Sequence, residues 1–161
     1  MPHCCIGADV ITGFPGESEK SFMETYRFLN ALDISYLHVF TYSERDNTEA
    51  TQLEHAVPRQ IRHERNRMLR ILSEKKQHAF YTAHLGEIKD VLFESRFMEG
   101  MSEGYTDNYI RVKAPSDQTL HGKILPAILT RTDHDYVVAQ INDHTREANA
   151  HLDALPMQMF S

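Results

Sequence analysis

The chain contains few of the residues that mark secreted or membrane proteins. Only two of its 161 residues are cysteines, and they are neighbours, Cys4 and Cys5. Because adjacent cysteines rarely bridge each other, a disulfide framework is excluded and a cytoplasmic location is predicted. No apolar run approaches the roughly 20 residues that cross a bilayer, and residues 1–5 do not resemble a signal peptide. With 41% apolar and 25% charged residues, the composition predicts a soluble globular protein without a membrane partner.

Motifs that carry catalysis or metal binding are also missing. The ten histidines are scattered, and no pair has the i, i+4 spacing with a third ligand that zinc enzymes use. Two adjacent thiols are too few for an iron–sulfur cluster. The sequence has no Gly-x-Ser-x-Gly motif, no Walker loop and no G-x-G-x-x-G motif. We therefore assign no catalytic residue and no metal ligand.

The first half of the chain predicts alternating strands and helices. The run Gly7–Glu17 is typical of a parallel strand covered on both faces, which ends in a glycine-rich turn before a helix. Ligands bind at such turns in α/β folds, although a plain strand–helix connection fits this run equally well. A helix with Phe22 on its apolar face, a strand over residues 34–42 and a helix from Pro58 to about residue 80 follow. The long helix is expected to bury Ile61, Met68, Leu69 and Leu72.

The second half predicts a small antiparallel β-barrel. Short alternating segments separated by glycine and proline begin near His84, which is typical of such barrels. The predicted strands are Val91–Glu94, Tyr109–Lys113, Ile124–Leu129 and Tyr136–Ile141.

Cations are concentrated in two places where a polyanion could bind. Residues 59–76 hold seven basic and two acidic residues, so this helix carries +5 and the rest of the chain −11. Strand alternation places Tyr109, Arg111 and Lys113 on one face of the barrel, where an aromatic ring between cations suits RNA. A solvated helix face and an ordinary wet strand remain the alternatives.

Three ordered motifs resemble a known family. They are Asp9–Glu17 (DVITGFPGE), His38–Thr48 (HVFTYSERDNT) and Gly104–Tyr109 (GYTDNY). Together they are similar to the C-terminal half of the radical S-adenosylmethionine methylthiotransferases that modify tRNA, most of all the branch that acts on threonylcarbamoyl-adenosine beside the anticodon. The resemblance covers roughly residues 5 to 142.

The resemblance implies a fold and two sets of site residues. Residues 1–82 would be the last two βα units of a partial (β/α) barrel, residues 84–143 an OB-like, RNA-binding TRAM barrel, and residues 144–161 a tail. In the first unit, the residues that would line the S-adenosylmethionine pocket are Asp9, Ile11, Gly13, Gly16, Glu17, Phe40, Tyr42, Ser43 and Arg45. RNA contacts would come from Tyr105, Thr106, Asn108, Tyr109, Arg111 and Lys113 in the barrel and from Arg62 and Arg65 in the basic helix.

The chain departs from the family pattern in two ways. The Cys-x-x-x-Cys-x-x-Cys loop that holds the family's four-iron, four-sulfur cluster is absent, as are the N-terminal cluster cysteines. The arginine loop reads Arg45-Asp46-Asn47-Thr48 where Pro-Gly is usual in the middle, and Asn47 can still take a left-handed conformation. We therefore expect a C-terminal fragment that needs the missing N-terminal half for catalysis. A stand-alone RNA-binding module, or a piece that self-associates through its sheet edges, is the alternative.

Overall fold

A computed structural model describes residues 3–116 and 120–141, and the chain divides into two compact units, Met1–Phe80 and Tyr81–Ser161. The first unit contains β1 (Gly7–Thr12), α1 (Glu19–Ala31), β2 (Tyr36–Thr41), a short 3-10 helix (Glu49–Gln52) and most of α2 (Arg59–Ala83). The second contains β3 (Ile88–Met98), β4 (Met101–Thr106), β5 (Arg111–Pro115), β6 (Ile124–Asp133) and β7 (Tyr136–Ile141). The predicted tail, residues 144–161, lies outside the described residues. Within the described residues, no helix is both long and apolar enough to cross a membrane.

The α/β unit is a two-stranded parallel sheet with helices on one face. Its core consists of Phe22 and Leu29 from α1, Leu37 from β2, and Leu69 and Leu72 from α2. The alternate residues of both strands point away from this core, and apart from the half-buried Tyr36 they are exposed. The prediction that the first strand is covered on both faces is therefore wrong for this chain. The predicted helix stripe is half right, because Leu69 and Leu72 are buried whereas Ile61 and Met68 are more than one-third exposed.

The two edges of this sheet differ. On the outer edge of β2, the Ser73 hydroxyl accepts a hydrogen bond from the Leu37 N–H (2.8 Å) and donates one to the Leu37 carbonyl (3.0 Å). The Asn66 side-chain amide donates to the Val39 carbonyl (3.3 Å). Side chains of α2 thus cover the edge of β2. Among the described residues β1 pairs with no strand other than β2, so its outer edge stays open to another strand.

The second unit is a closed five-stranded barrel in the order β3-β4-β5-β7-β6. Four of its strand pairs are antiparallel, but β5 and β7 pair in parallel. The prediction of a wholly antiparallel barrel is therefore wrong at this pair. The strand β4 was not predicted at all. Its Gly104 lies against β3 so closely that a Cβ atom would come within 2.9 Å of the Phe93 Cα, so a side chain here would clash with backbone.

Candidate functional site

The exposed face of the α/β sheet brings together three of the predicted cofactor residues. Strand register places Asp9 opposite His38 and Ile11 opposite Phe40. Directly opposed residues lie on the same face of a sheet. Ile11 is 59% and Phe40 53% exposed, so two large apolar side chains lie side by side on a surface near the carboxyl ends of the strands. We call Asp9, Ile11, His38 and Phe40 the open face.

A sharp turn follows β1 at the carboxyl edge of the open face. Gly13 and Gly16 have φ angles of 78° and 86°, in the left-handed region that favours glycine. The Glu17 carboxylate accepts a hydrogen bond from the Gly13 N–H at 2.8 Å, which ties the end of the turn to its beginning. Gly13 also lies against the aliphatic part of Arg62. The close approach that Gly13 permits in this structure is to the Arg62 side chain of α2.

Arg65 of α2 also fixes this turn, through hydrogen bonds and ion pairs to Glu17 and Glu19. Its guanidinium donates to the Glu17 carboxylate (2.6 Å) and to the Glu17 carbonyl (2.9 Å), and it pairs with Glu19 at 3.3 Å. The Arg65 side chain is 6% exposed. Glu17 was predicted to contact the cofactor, but these bonds give its carboxylate the role of fixing the turn.

Arg62, one helical turn earlier, fixes the chain that follows β2. Its Nε donates to the Val57 carbonyl (2.6 Å), and its terminal nitrogens donate to the Tyr42 carbonyl (3.2 Å) and to the Glu44 carboxylate (2.6 Å). The hydrogen bond from Arg62 lowers the pKa of Glu44 from 4.5 to about 2. Arg62 and Arg65, in neighbouring turns of one helix, thus hold both strand ends of the candidate site.

Tyr42 lies beside a cleft at this end of the sheet. The cleft has a volume of about 310 Å³ and is lined by Tyr42 together with Thr41, Ser43, Glu44, Arg59, Arg62 and His63. The ring of Tyr42 meets Phe14 edge-on at 5.4 Å and lies 5.2 Å from the Arg62 guanidinium carbon. The Tyr42 hydroxyl is buried and has no hydrogen-bond partner among the described residues. A buried hydroxyl without a partner is costly, so this atom is suited to a polar ligand group.

The remaining predicted cofactor residues lie in the loop after β2. Ser43 and Arg45 are exposed. The Arg45 carbonyl accepts a hydrogen bond from the Thr48 hydroxyl at 2.8 Å. Asn47 has a φ of 64°, so the left-handed conformation expected of it is confirmed.

The predicted RNA residues of the barrel fall into two groups. Tyr105 and Tyr109 are 37% and 73% exposed, although Tyr109 precedes β5 and is not part of the strand as predicted. Thr106 and Asn108 are buried, and the Thr106 hydroxyl donates to Asn108 (2.7 Å) and accepts from the Ile110 N–H (2.9 Å). These two side chains build the turn before β5, which does not fit their predicted contact with RNA.

Arg111 and Lys113 share the outer face of β5 as the alternation predicted. Both pair with Glu103 of β4, at 2.9 Å and 3.2 Å, and Arg111 also pairs with Asp135. The Lys113 ammonium lies 4.3 Å from the centre of the Tyr136 ring. The hydrogen bond from Arg111 lowers the pKa of Glu103, so Glu103 is a carboxylate at neutral pH. The Glu103 carboxylate of β4 thus fixes the positions of the Arg111 and Lys113 side chains.

Arg62 and Arg65 are not surface cations as the basic helix suggested. Both side chains are buried, and their terminal nitrogens and the Arg62 Nε donate to carbonyls and carboxylates of their own unit. The Arg65 Nε has no partner among the described residues. Their predicted contact with RNA therefore does not fit the structure, since a buried guanidinium is retained only where it is paired. Sequence reasoning also gave no role to Phe14 and Glu44, although both lie inside the first two motifs, and it missed the role of Arg62, for which no local pattern gave a signal.

Comparison with known proteins identifies relatives along most of the chain. No family model matches it. It is 34% identical over 158 residues, 91% of the chain, to the threonylcarbamoyladenosine tRNA methylthiotransferase MtaB of Bacillus subtilis, and 42% identical over 113 residues, 70% of the chain, to MtaB of Aquifex aeolicus. It is 32% identical over 133 residues, 81% of the chain, to the tRNA-2-methylthio-N(6)-dimethylallyladenosine synthase of Symbiobacterium thermophilum. The chain belongs to the methylthiotransferase family.

The chain corresponds to a limited part of these methylthiotransferases. It spans 35% of the length of the Bacillus relative, 26% of the Aquifex relative and 28% of the Symbiobacterium relative. The family resemblance drawn from the three motifs is confirmed, and MtaB proteins are among the relatives that support it.

Proposed function

We propose that this chain is the C-terminal segment of a tRNA methylthiotransferase, an enzyme that transfers a methylthio group to an adenosine next to the anticodon. The segment would supply one wall of the S-adenosylmethionine pocket and the TRAM-type barrel, of the OB-like kind, that docks tRNA. The names of its relatives support tRNA as substrate and threonylcarbamoyladenosine as the modified base. The observation that carries the proposal is the register that places Asp9, Ile11 and Phe40 on one open face beside the Gly13–Glu17 turn.

The residues present fit one side of an adenosyl group. Ile11 and Phe40 offer exposed apolar surface for a flat base, and the buried Tyr42 hydroxyl has no hydrogen-bond partner within residues 3–116 and 120–141. Small-molecule sites combine such apolar walls with a few convergent polar groups. When bound to the whole enzyme, S-adenosylmethionine would supply the radical that starts the reaction. In this chain Arg62 and Arg65 position the loops around it, and Phe14 packs on Tyr42 at the rim.

The family's four-iron, four-sulfur cluster does not fit this chain. Such clusters need three or four suitably spaced thiolates, whereas the chain has only the adjacent Cys4 and Cys5. We therefore derive no chemical step through the cluster. The cluster ligands would come from the N-terminal half of the same enzyme, which is also the partner that would cover the open face and the free edge of β1 in the partial (β/α) barrel.

Binding of RNA to the purified chain tests the docking role. Affinity for a tRNA anticodon stem-loop would be measured across a salt series, with an unrelated hairpin of equal length as control. We expect tighter binding to the stem-loop than to the control hairpin. The logarithm of the association constant should fall linearly with the logarithm of the salt concentration, because phosphate contacts release counterions. The double variant Tyr109→Ala, Arg111→Ala should weaken binding while the barrel stays folded. Equal binding of both RNAs would contradict the proposal.

Saturation-transfer NMR with S-adenosylmethionine tests the pocket wall separately. We expect transfer to the adenine protons from the wild-type chain and a loss of transfer in Phe40→Ser. Phe28→Ser is the matched control, because Phe28 is 62% exposed on α1, away from the open face. RNA binding without any transfer from the wild type would favour the alternative, a stand-alone RNA-binding module.

A further inference from the structure

Four strands of the barrel align their outward side chains in one row. Register places Arg111 opposite Tyr105, Tyr105 opposite Leu92, and Leu92 opposite Ile124. Opposed residues lie on the same face, and their neighbours in each strand, Val112, Gly104, Phe93 and Leu125, fill the interior. The row therefore runs across β5, β4, β3 and β6, over roughly 14 Å at the usual spacing between strands. We call Arg111, Tyr105, Leu92 and Ile124 the surface row.

The surface row is unusually apolar for a barrel exterior. Leu92 is 49%, Ile124 62% and Tyr105 37% exposed. Single exposed apolar residues are normal, but contiguous ones mark an interaction site. The row also joins an aromatic ring to two aliphatic side chains without a charged residue between them.

Paired cations lie at the β5 end of the surface row, and the exposed Lys123 precedes Ile124 at its other end. Arg111 ends the row, and Lys113 and Arg96 lie near it, since all three pair with Glu103 at distances of 2.9 to 3.9 Å. Glu103 and Asp135 are the carboxylates that pair with Arg111. Asp90 and Glu94 lie on the same outer face of β3, on either side of Leu92. An apolar platform next to positioned cations suits a ligand with flat faces and a backbone of negative charge. A single-stranded RNA segment has both, because its unstacked bases expose their faces and its phosphates lie alongside.

We propose that the surface row is a stacking platform for unpaired nucleobases of the RNA, on which Leu92 and Ile124 are contact residues. This inference rests on the RNA-docking role proposed above and extends it across β3 and β6, which none of the three motifs includes. Bases stack along Tyr105, Leu92 and Ile124, while Arg111 and Lys113 contact phosphate. The platform selects a loop over a duplex, since paired bases do not expose their faces.

Alanine substitution along β3 and β6 tests the platform. The probe is an anticodon stem-loop, and a fully paired RNA of equal length is the comparison. We expect Leu92→Ala and Ile124→Ala each to weaken stem-loop binding three- to tenfold, near the lower end of base-stacking contributions. Ile88→Ala is the matched control, because Ile88 is 59% exposed on the same face of β3, four residues and about 13 Å from Leu92. It should bind as the wild type does, and Leu92→Met, which keeps the apolar contact, should retain binding.

Each outcome separates the platform from the docking role on which it rests. If the wild type does not bind the stem-loop, the docking role fails, and the platform fails with it. If Tyr105→Ala loses affinity while Leu92→Ala and Ile124→Ala stay within twofold of the wild type, only the platform is overturned. If Leu92→Ala leaves RNA affinity unchanged but shifts the sedimentation coefficient, the surface row is a contact between copies of the chain and the platform is again overturned.

Discussion

In the barrel every strand pairs with two others, whereas β1 of the α/β unit pairs with one. The same contrast holds for apolar side chains, since Phe93 is 1% exposed inside the barrel and Phe40 is 53% exposed on the open face. A closed barrel satisfies its own backbone and needs no neighbour. The α/β unit leaves a face and an edge that a longer chain would complete. The difference indicates that the barrel closes on itself, while the open face and the outer edge of β1 stay uncovered. Under the proposed function, the α/β unit would supply one wall of a site.

Two phenylalanines of equal size make the sharpest test of this contrast. Phe93→Ala should lower the free energy of unfolding by about 3–5 kcal/mol, because it opens a cavity in the barrel. Phe40→Ala should lower it by no more than about 1 kcal/mol, since more than half of Phe40 is already exposed. Urea unfolding followed by circular dichroism measures both. Similar decreases in the free energy of unfolding for the two variants would mean that the open face is covered.

The free energy of unfolding of the α/β unit should depend strongly on the buried arginines of α2, because its apolar core is small. Arg65→Ala leaves the Glu17 carboxylate without its cationic partner and should cost about 3 kcal/mol of stability, the scale of breaking a buried ion pair. Arg67→Ala, an exposed arginine two residues away, is the control and should cost almost nothing. The same urea experiment measures both. A small effect of Arg65→Ala would show that the turn holds without α2.

The pair of Glu44 and Arg62 predicts a pH dependence confined to the α/β unit. The hydrogen bond from Arg62 depresses the pKa of Glu44 from 4.5 to about 2 in the folded chain. A depressed carboxyl pKa stabilises the fold above about pH 4.5, and this contribution is lost as the pH falls to about 2. The stability difference between wild type and Glu44→Gln should therefore shrink over that window. A difference that does not change with pH would mean that the pair does not stabilise the fold.

The open face and the free edge of β1 should also favour weak self-association. Exposed apolar faces tend to bind other apolar surfaces, and unpaired strand edges tend to pair with strands of other chains. In sedimentation velocity we expect the wild type to form concentration-dependent oligomers and Phe40→Ser to form fewer. A wild type that stays monomeric at high concentration would contradict this, and Phe28→Ser controls for the loss of an exposed ring elsewhere.

Sequence alone predicted those elements whose apolar residues alternate or repeat regularly. The strands around Val91 and Val137 were predicted for that reason, whereas those around Val10 and Val39 were predicted from runs of β-branched and aromatic residues. Strand β4 was missed because its inward positions are Ser102, Gly104 and Thr106, which are small or polar and give no apolar alternation. The parallel pairing of β5 with β7 depends on barrel closure, which no local pattern encodes.

The sequence predicted the candidate-site residues that lie within a contiguous motif. It did not predict the roles of the residues that α2 contributes. The family motifs led to Asp9, Ile11 and Phe40, which strand register places together. They could not show that Arg62 and Arg65 are buried, because charge in a helix normally indicates a solvated face. The surface row was equally hidden, since Leu92 and Ile124 meet only through pairing of β3 with β6.

Hydroxyl-radical footprinting of the chain, with and without an anticodon stem-loop, most directly tests the claim that RNA binds to the barrel and not to the open face of the α/β unit. Tyrosine, leucine, isoleucine and phenylalanine side chains all report their exposure in one experiment. The account predicts that RNA protects Tyr105, Leu92 and Ile124 on the barrel and leaves Ile11 and Phe40 of the open face as reactive as before. Protection of Ile11 and Phe40 with no change on the barrel would contradict it.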